Sequence, residues 1–542
     1  MSGASAPVTR WWGWGDPGKQ PELPPEGLAL LRELVGEAEP MQRVELEEVG
    51  VPDPAPLPAS LVEAAGEHAL LDGREHRIRR AAGQSYPDLV RLRTGRLGDA
   101  PDAVAVPATA EAVARALEVC AAEGIAVVPF GGGTSVVGGV DPERAGFEQL
   151  IALDLRRLRD VTVDERSLVA RLGPGLRGPE AEDALAERGL TLGHFPQSFE
   201  YATIGGFAAT RSAGQASSGY GRFDDMVTSV ALATPVGELR TLDVPHTAAG
   251  PSLRELVVGS EGTLGVITEV GVRVRAAPHE HRYEAWMAPD FESGAEMVRA
   301  LAQDDALPDV VRVSDEAETS ASLGLAGVAG ARRTALHAYL RLRRRTGGCM
   351  VITGWEGTSE AVARRRAVAA KLIRAGGAVS LGHAPGEAWR RGRYEGPYLR
   401  ETLLDLGYMV ETLETAHTWS RLMEHREAVT RALGDTLRSG GGGCLVMCHL
   451  SHAYRDGASL YFTFIAPRRP EAEIEQWRAA KTAACEAIVS MGGTITHHHA
   501  VGRDHAPYMP AEVGDLGIAT LAAMKERLDP AGIMNPGKLL PR

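Results

Sequence analysis

Cysteine, basic charge and long apolar runs are all scarce in this chain of 542 residues. Its five cysteines form no C-x-x-C pair and are too few for a disulfide framework, which favours a reducing compartment. No run approaches the length of a membrane span, and tryptophans and prolines stand near the N-terminus in place of a signal peptide. We therefore expect a cytoplasmic protein. Because 71 acidic residues outnumber 58 basic ones, a general nucleic-acid surface is excluded, whereas one basic pocket for an anionic substrate is not.

The length of the chain and its changes of pattern predict more than one domain. Single cores usually stop growing near about 250–300 residues, and this chain is much longer. Strands and helices alternate from about residue 97, and longer helical patterns begin after Pro278. We predict an N-terminal helical segment (residues 1–96), an α/β unit (97–278), a second domain (279–500) and a C-terminal segment (501–542).

A glycine-rich stretch, residues 129–139, follows an apolar run that reads as a buried strand. Its sequence is P-F-G-G-G-T-S-V-V-G-G. Glycine permits positive φ angles and lets the backbone approach a ligand, so that successive N–H groups can bind a phosphate. A tight structural turn explains this stretch equally well when it is considered alone.

Two further small-residue stretches occur in the same unit. Residues 203–206 read T-I-G-G, and residues 259–265 read G-S-E-G-T-L-G. Three such stretches in one unit favour a long cofactor that contacts all of them. No G-x-G-x-x-G occurs within these three stretches and no G-K-[ST] follows their glycines, so neither the Rossmann fingerprint nor the P-loop explains them.

Together these stretches resemble the FAD-binding, PCMH-type domain of the vanillyl-alcohol oxidase family. The terminal L-D-P-A-G-I-M-N-P-G-K, residues 528–538, matches the way its members end. The resemblance implies an α+β fold in which residues 97–278 bind FAD and residues 279–500 form an α+β cap that binds substrate. It also implies that residues 501–542 return to the FAD domain.

Within that family, motifs along nearly the whole chain resemble the alkyldihydroxyacetonephosphate synthases. They are R-W-W-G-W-G (10–15), Q-S-F-E-Y-A-T (197–203), Y-L-R (398–400), L-E-T (413–415), A-S-L-Y-F (458–462) and T-H-H-H (496–499). The resemblance implies that the acyl group of an acyl-dihydroxyacetone phosphate is exchanged for a long-chain alcohol, through an adduct at flavin N5. It implies a homodimer and no nucleic-acid partner.

The same resemblance implies which residues contact the cofactor. Many family members link the flavin through a histidine near the glycine loop, where this chain has G-T-S at 133–135, so we expect non-covalent FAD. The implied contacts are Pro129, Phe130, Gly131, Gly132, Gly133, Thr134, Ser135, Gln197, Ser198, Thr203, Gly206, Thr210, Arg211, Ser212, Ala213, Glu261, Gly262, Gly265, Val266 and Ile267.

The reaction needs a cation for the phosphate, a base and an acid. A guanidinium binds anions with a planar fork of donors, although Arg400 could instead pair with Glu401 or Glu395 on a helix face. Arg312 is a charge within an apolar strand and needs a partner if it is buried. The resemblance assigns catalysis to Tyr461, His498, His499 and Arg400, and substrate binding to Arg400, His497, His449 and Arg312, with His498 as the base.

The triplet at 497–499 follows a strand-like T-I-T. In an extended chain, His497 and His499 point to one side and His498 to the other, so the three cannot face the flavin equally. Adjacent histidines are also a poor spacing for metal ligands, and we predict no metal site. Two departures from the synthases stand out: His449 replaces an arginine of the animal enzymes, and Ala500 replaces a glycine.

Two alternatives stay open. The same scaffold could serve an FAD oxidase or dehydrogenase of a hydroxy acid or alcohol. A basic cluster at 332–345, with Leu336, Tyr339 and Leu340 interleaved, is either a solvated face or a peripheral contact with an anionic membrane.

Overall fold

The computed structural model describes residues 9–66, 68–325 and 330–541, and two groups of β-sheets organise them. The first group contains β1 (Leu70–Leu71), β2 (Ala103–Ala105), β3 (Ile125–Phe130), β4 (Gln149–Asp154), β5 (Val161–Asp164), β6 (Val169–Leu172), β7 (Leu190–Thr191), β8 (Val227–Thr234), β9 (Gly237–Arg240), β10 (Val266–Arg273) and β11 (Arg275–Ala276). They form a four-stranded sheet (β1-β2-β4-β3), a five-stranded sheet (β5-β6-β10-β8-β9) and the pair β11-β7. Strands β2, β4 and β3 run parallel, whereas the five-stranded sheet is antiparallel.

The second group is one seven-stranded antiparallel sheet, which carries several of the polar side chains of the site. Its strands are β12 (Glu280–Ala288), β13 (Val310–Ser314), β14 (Cys349–Gly357), β15 (Val379–Gly382), β16 (Tyr408–Thr418), β17 (Leu445–Ala453) and β18 (Gly457–Pro467). Their order is β15-β12-β14-β13-β17-β18-β16. A large hydrophobic core lies between this sheet and its helices, and includes the buried side chains of Trp286, Trp355 and Phe462.

Helices surround both groups of sheets, and the predicted α+β class is confirmed. They are α1 (Pro25–Val35), α2 (Ala59–Ala65), α3 (Arg74–Ile78), α4 (Tyr86–Arg93), α5 (Ala110–Glu123), α6 (Gly178–Ala186), α7 (Ile204–Ala209), α8 (Ser217–Tyr220), α9 (Phe223–Met226), α10 (Leu253–Val257), α11 (Phe291–Gln303), α12 (Glu316–Leu325), α13 (Gly330–Leu342), α14 (Ser359–Ala375), α15 (His383–Gly392), α16 (Gly396–Asp405), α17 (Leu422–Ser439), α18 (Glu473–Met491) and α19 (Met509–Leu528). Across the described ranges, none combines the length and the apolar character that a membrane crossing requires.

Local capping positions the glycine loop after β3. The Thr109 hydroxyl accepts a hydrogen bond from the backbone N–H of Ala112 and so begins α5. Gly124, with φ +69°, ends the helix in the left-handed region that favours glycine. The chain then enters β3, whose residues are almost all buried, and emerges directly into the loop at 131–133. This helix and the buried strand after it agree with the alternation of helices and strands that the sequence predicts from about residue 97.

The C-terminal end of the chain packs against the N-terminal half. The N–H of Val127 donates to the carbonyl of Ile533 at 2.8 Å, and the N–H of Asn535 donates to the carbonyl of Val127 at 2.8 Å. Asn535 Nδ2 also donates to the carbonyl of Glu261 at 2.7 Å. The side chains of Ile533 and Met534 are fully buried. These last residues thus add an edge to β3, beside two of the glycine stretches.

A buried ion pair joins α4 of the N-terminal half to α16 of the second half. Arg93 Nη2 lies 2.6 Å from Glu401 Oε2, and Arg93 also pairs with Asp405. The side chains of Arg93 and Glu401 are 0% and 2% exposed. The tryptophan-rich N-terminal segment covers the same helix, since a Cβ on Gly13 would lie 1.9 Å from Glu401 Oε2. This segment therefore packs against the second half of the chain.

We expect Arg93→Ala to destabilise the protein by about 3–5 kcal/mol, because it leaves a buried carboxylate without its closest cation. The thermal unfolding midpoint should fall by several degrees. Arg299→Ala is the control, since Arg299 pairs with Glu296 on an exposed helix face and should change the midpoint little. Equal midpoints for the two variants would contradict this interpretation of the pair.

Candidate active site

A cavity of about 550 Å³ lies between the glycine stretches and the seven-stranded sheet. It has three parts: a cradle of small residues, a polar centre and an apolar arm. The cradle comes from the loops after β3, before α7 and before β10. The polar centre comes from β13, β16, β17, β18 and α16. One continuous space therefore brings together residues as far apart in the chain as Trp14 and His499.

The three glycine stretches contact one another directly. A Cβ on Gly132 would lie 2.1 Å from the carbonyl oxygen of Tyr201, and a Cβ on Gly131 would lie 2.4 Å from Thr203 Oγ1. Gly262 has a φ of +74°, and a Cβ added to it would lie only 2.9 Å from Pro129 Cγ. Larger residues would therefore push these loops apart. The result is a wall of exposed backbone suited to a cofactor with a pyrophosphate.

Most of the predicted cofactor contacts line this cavity. Arg211 and Val266 are exceptions, and their assignment as cofactor contacts is not supported by the geometry. The Arg211 guanidinium points away and donates to the carbonyls of Val258 and Glu255, whereas Val266 is a buried strand residue that pairs with Ala233. The cavity-lining contacts are Pro129, Phe130, Gly131, Gly132, Gly133, Thr134, Ser135, Gln197, Ser198, Thr203, Gly206, Thr210, Ser212, Ala213, Glu261, Gly262, Gly265 and Ile267.

Arg400 lies on α16 at the polar centre. Its Nη1 donates to the carbonyl of Gln84 at 2.9 Å, and its Nε is buried without a hydrogen-bond partner among the described residues. Glu401 is 3.7 Å away, but that carboxylate already binds Arg93, and Glu395 pairs with Lys19 instead. The guanidinium therefore keeps positive charge and an unused donor for a ligand.

Tyr461 lies on β18, with its ring stacked on His449 at a centroid distance of 4.8 Å. The rings of His499 and His498 lie at 5.3 and 6.0 Å. Burial raises the pKa of Tyr461 to about 12, so the phenol is protonated at neutral pH. An acid is thus in place beside the histidines.

The triplet at 497–499 is bent rather than extended, and the predicted alternation of side chains is wrong. The Glu414 carboxylate on β16 accepts hydrogen bonds from the backbone N–H groups of all three histidines, at 2.5, 3.0 and 2.8 Å. It also accepts one from the Thr496 hydroxyl at 2.7 Å. Three N–H groups that converge on one carboxylate require a turn of the backbone. His498 and His499 consequently line the cavity together.

The electrostatics of this turn favour a neutral His498. Burial lowers the pKa of His498, and Arg222 acts in the same direction, whereas Glu414 opposes them. Burial alone would raise the pKa of Glu414, but the neighbouring histidines and the Thr496 hydroxyl hold it well below its ordinary value. Ala500, which closes the turn, has φ +75°, a conformation that favours glycine. The chain thus retains strain where the resemblance expects a glycine.

His449 and Arg312 meet on a carboxylate that the sequence did not single out. Arg312 Nη2 lies 2.5 Å from Glu318 Oε1, and His449 Nδ1 lies 3.2 Å from Glu318 Oε2. All three residues line the cavity. Burial would raise the pKa of Glu318, but Arg312 and His449 lower it. A carboxylate in the first turn of a helix is too common a pattern to identify this residue from sequence.

His497 does not line the cavity, so its predicted contact with substrate is not supported. Its Nε2 lies 2.7 Å from the Tyr454 hydroxyl, and its ring stacks on that of His452. His452, at the end of β17, does line the cavity, as does Ser451. His452 could have been noticed only as the second histidine of H-L-S-H at 449–452.

The apolar arm leads from the polar centre to α1. Gly324 of α12 packs on Leu30 of α1, and Leu34 at the end of the arm is 44% exposed. The sequence pattern predicted helix α1 but not its place in the site. The residues that line the arm are Leu23, Gly27, Leu30, Leu31, Leu34, Leu399, Leu403, Val410, Leu445, Met447 and Ile465.

Comparisons with known proteins agree with this arrangement. The model of the FAD binding domain family matches residues 101–243, and that of the FAD linked oxidases, C-terminal domain, matches residues 277–539. Fold and cradle therefore define a flavoprotein of the FAD-linked oxidase class, with FAD as the cofactor. The glycine-rich cradle, together with the unpaired Nε of Arg400 in the same cavity, fits such a group.

Two relatives and one solved structure narrow the class of protein. An alkyldihydroxyacetonephosphate synthase of Dictyostelium discoideum is 32% identical over 87% of this chain and 78% of its own. An alkyldihydroxyacetonephosphate synthase of Trypanosoma brucei brucei is 32% identical over 86% of this chain and 77% of its own. A solved alkyldihydroxyacetonephosphate synthase superimposes with a TM-score of 0.84, at 28% identity, over 97% of this chain and 98% of its own. The chain belongs to the alkyldihydroxyacetonephosphate synthase family.

Proposed function

We propose that this protein exchanges the acyl group of an acyl-dihydroxyacetone phosphate for a long-chain alcohol. The observation that carries this is one cavity with three parts: a cofactor cradle, a centre whose Arg400 guanidinium keeps one unused donor, and an apolar arm. An oxidase of a small hydroxy acid needs the first two parts but has no use for the third. The arm therefore favours the synthase over the oxidase or dehydrogenase alternative.

The cradle would hold FAD without a covalent bond, since residues 129–139 contain no histidine. FAD, when bound there, supplies a ring that can exchange an electron pair with a substrate carbon. Backbone N–H groups of the loop at 131–135 would face the pyrophosphate. We propose residues 97–278 as the FAD domain, residues 279–500 as the cap, and the remaining two segments as their covers.

Arg400 would hold the phosphate of the substrate. Its charge is not cancelled, because Arg93 already neutralises Glu401. Arg312 is less suited to this role, because Glu318 pairs with it at 2.5 Å. Arg312 and His449 would instead orient a polar part of the substrate from the side of β13 and β17.

His498 would accept the proton from the reacting carbon, and Tyr461 would donate a proton to a leaving oxygen. Burial keeps the His498 ring neutral and the Tyr461 phenol protonated at the same pH, as an acid–base pair requires. His499, whose Nδ1 has no hydrogen-bond partner among the described residues, would support them. Glu414 would fix the position of the triplet through its backbone.

The apolar arm would receive the alkyl chains. Gly27 is buried in α1 and lines the arm, so a side chain there would shorten the available space. We expect Gly27→Leu to lower the ratio of hexadecanol to octanol incorporation by about tenfold, with FAD content unchanged. Ala29→Leu, on the exposed face of the same helix, should leave the ratio as it is. An unchanged ratio in the Gly27 variant would show that the chains bind elsewhere.

The basic cluster would bring the arm to an anionic membrane surface. Arg332 and Arg333 lie outside the side chains that the structure describes, but Arg341 and Leu342 are exposed near α12, which borders the arm. Sedimentation with phosphatidylserine vesicles tests this contact. The cytoplasmic location and the homodimer stay predictions, the latter open to light scattering.

Anaerobic mixing of the FAD-loaded protein with palmitoyl-dihydroxyacetone phosphate tests the proposed reaction. We expect palmitate release together with loss of the visible flavin absorbance, and recovery of the absorbance when hexadecanol is added. Reduction by a hydroxy acid, with no palmitate release from the acyl substrate, would instead support the oxidoreductase alternative.

A further inference from the structure

Three histidines meet at one side of the cavity. His452 is the residue before the last one of β17, and His497 and His498 lie in the turn after α18. One nitrogen of each ring lies within 4.8 Å of the others. Nδ1 of His497 is 3.1 Å from Nδ1 of His498, with the rings at 83°. Zinc–nitrogen bonds of about 2.0–2.1 Å at tetrahedral angles place ligand nitrogens about 3.3 Å apart. The neighbouring rings already have that spacing.

Hydroxyl groups stand behind two of these rings. Ser217 Oγ lies 2.6 Å from Nδ1 of His452, and the Tyr454 hydroxyl lies 2.7 Å from Nε2 of His497. A hydroxyl can accept a hydrogen bond as well as donate one, so each ring can keep its proton on this outer nitrogen. The inner nitrogen then offers a lone pair. Metal-binding histidines typically have such an outer partner, which fixes the ring and its tautomer.

Charge and access also suit a cation. Glu414 Oε2 lies 3.6 Å from Nδ1 of His498 and supplies negative charge. The nearest opposing charge, Arg222, is paired with Asp224 at 2.9 Å. His452 and His498 line the cavity, so a metal ion could enter through it and keep one coordination position directed into it.

We propose that His452, His497 and His498 form a binding site for a divalent cation of the zinc class. Imidazole nitrogens without an added thiolate suit zinc and its neighbours in the transition series better than magnesium or calcium. The sequence alone disfavours such a site because three adjacent histidines are a poor spacing for metal ligands. The turn around Glu414 and the addition of His452 change that geometry.

Occupation of this site would inhibit the synthase, a consequence that rests on the proposed function. A metal on Nδ1 of His498 confines the proton of that ring to Nε2. The ring then has no lone pair with which to accept a proton from substrate. The cation would therefore act as a reversible inhibitor.

Zinc binding to the tag-free, FAD-loaded full-length protein tests the site. After treatment with a chelator and desalting, we expect titration calorimetry and metal analysis to give one zinc per chain. His452→Ala and His497→Ala should each abolish this binding. Ser217→Ala, which leaves the three rings in place, should weaken it by about tenfold or more. His383→Ala, a surface histidine outside the cluster, is the control and should bind as the parent does.

Binding and activity separate the two proposals. Zinc binding that persists in the His452 and His497 variants, or less than a stoichiometric amount in the parent, overturns the metal site whatever the activity. A chelated parent that releases no palmitate overturns the proposed function, while stoichiometric, histidine-dependent zinc binding would still support the site. Both hold if zinc binds once and reversibly suppresses palmitate release over the same concentration range.

Discussion

Tyr461→Phe is expected to lower turnover by about two to four orders of magnitude while the protein keeps its FAD. The substitution removes one hydroxyl from a buried ring and leaves the stacking on His449 in place. The phenol is protonated at neutral pH because burial raises its pKa to about 12, so its loss removes an acid from the site. Steady-state release of palmitate, normalised to the visible flavin absorbance, measures the effect.

Tyr408→Phe is the matched control for this variant. The Tyr408 hydroxyl donates to the carbonyl of Gly36 at 3.0 Å, in a part-buried position outside the cavity. It should therefore retain turnover within about twofold, despite the loss of one hydrogen bond. If Tyr461→Phe turned over as fast as Tyr408→Phe, Tyr461 would be a packing residue only.

His498→Ala should be impaired to a similar extent, and its pH profile should identify the base. Burial lowers the pKa of His498 from 6.5, so the parent enzyme should hold the neutral ring at pH 7. Protonation removes the base, and kcat/KM should therefore fall as pH falls through a value below 6.5. The residual rate of the variant should lack this acid limb.

Added imidazole should restore part of the lost rate, since it can fill the space that the ring vacates. The assays need a chelator, so that a bound cation does not mimic the loss of the base. His417→Ala, on β16 but outside the cavity, should behave as the parent does. An acid limb that survives unchanged in His498→Ala would assign it to another group.

Local pattern allowed much of the fold and part of the site to be predicted. The glycine stretches can be recognised in the sequence, because a backbone segment that approaches a ligand closely needs glycine at those positions. Tyr461 and Arg400 were found through motifs of three to five residues in which they stand. Helix α5 has local signals of this kind, a threonine cap and a terminal glycine, which act within one turn of the chain.

The roles of Glu414, which stands in the L-E-T motif, and of Glu318 were missed because they depend on contacts between distant parts of the chain. Glu414 bonds to backbone 83 to 85 positions away, and Glu318 meets a histidine of β17 more than a hundred positions later. No periodicity in the sequence encodes such a contact. The prediction that the histidine triplet is extended was wrong for the same reason. The local pattern favoured a strand, whereas the backbone of the triplet turns around the remote carboxylate of Glu414.

The edge that residues 533–535 add to β3 sets an order of events during synthesis. Val127 and Asn535 bond to one another across more than four hundred positions, and Asn535 reaches the carbonyl of Glu261 as well. Domains made first on a ribosome generally fold first. Here the N-terminal half would leave the ribosome early, but its cradle would stay incomplete until residues 533–535 have been translated. A chain whose translation stops before residue 533 would thus lack the segment that pairs with β3, and its cofactor site would be incomplete.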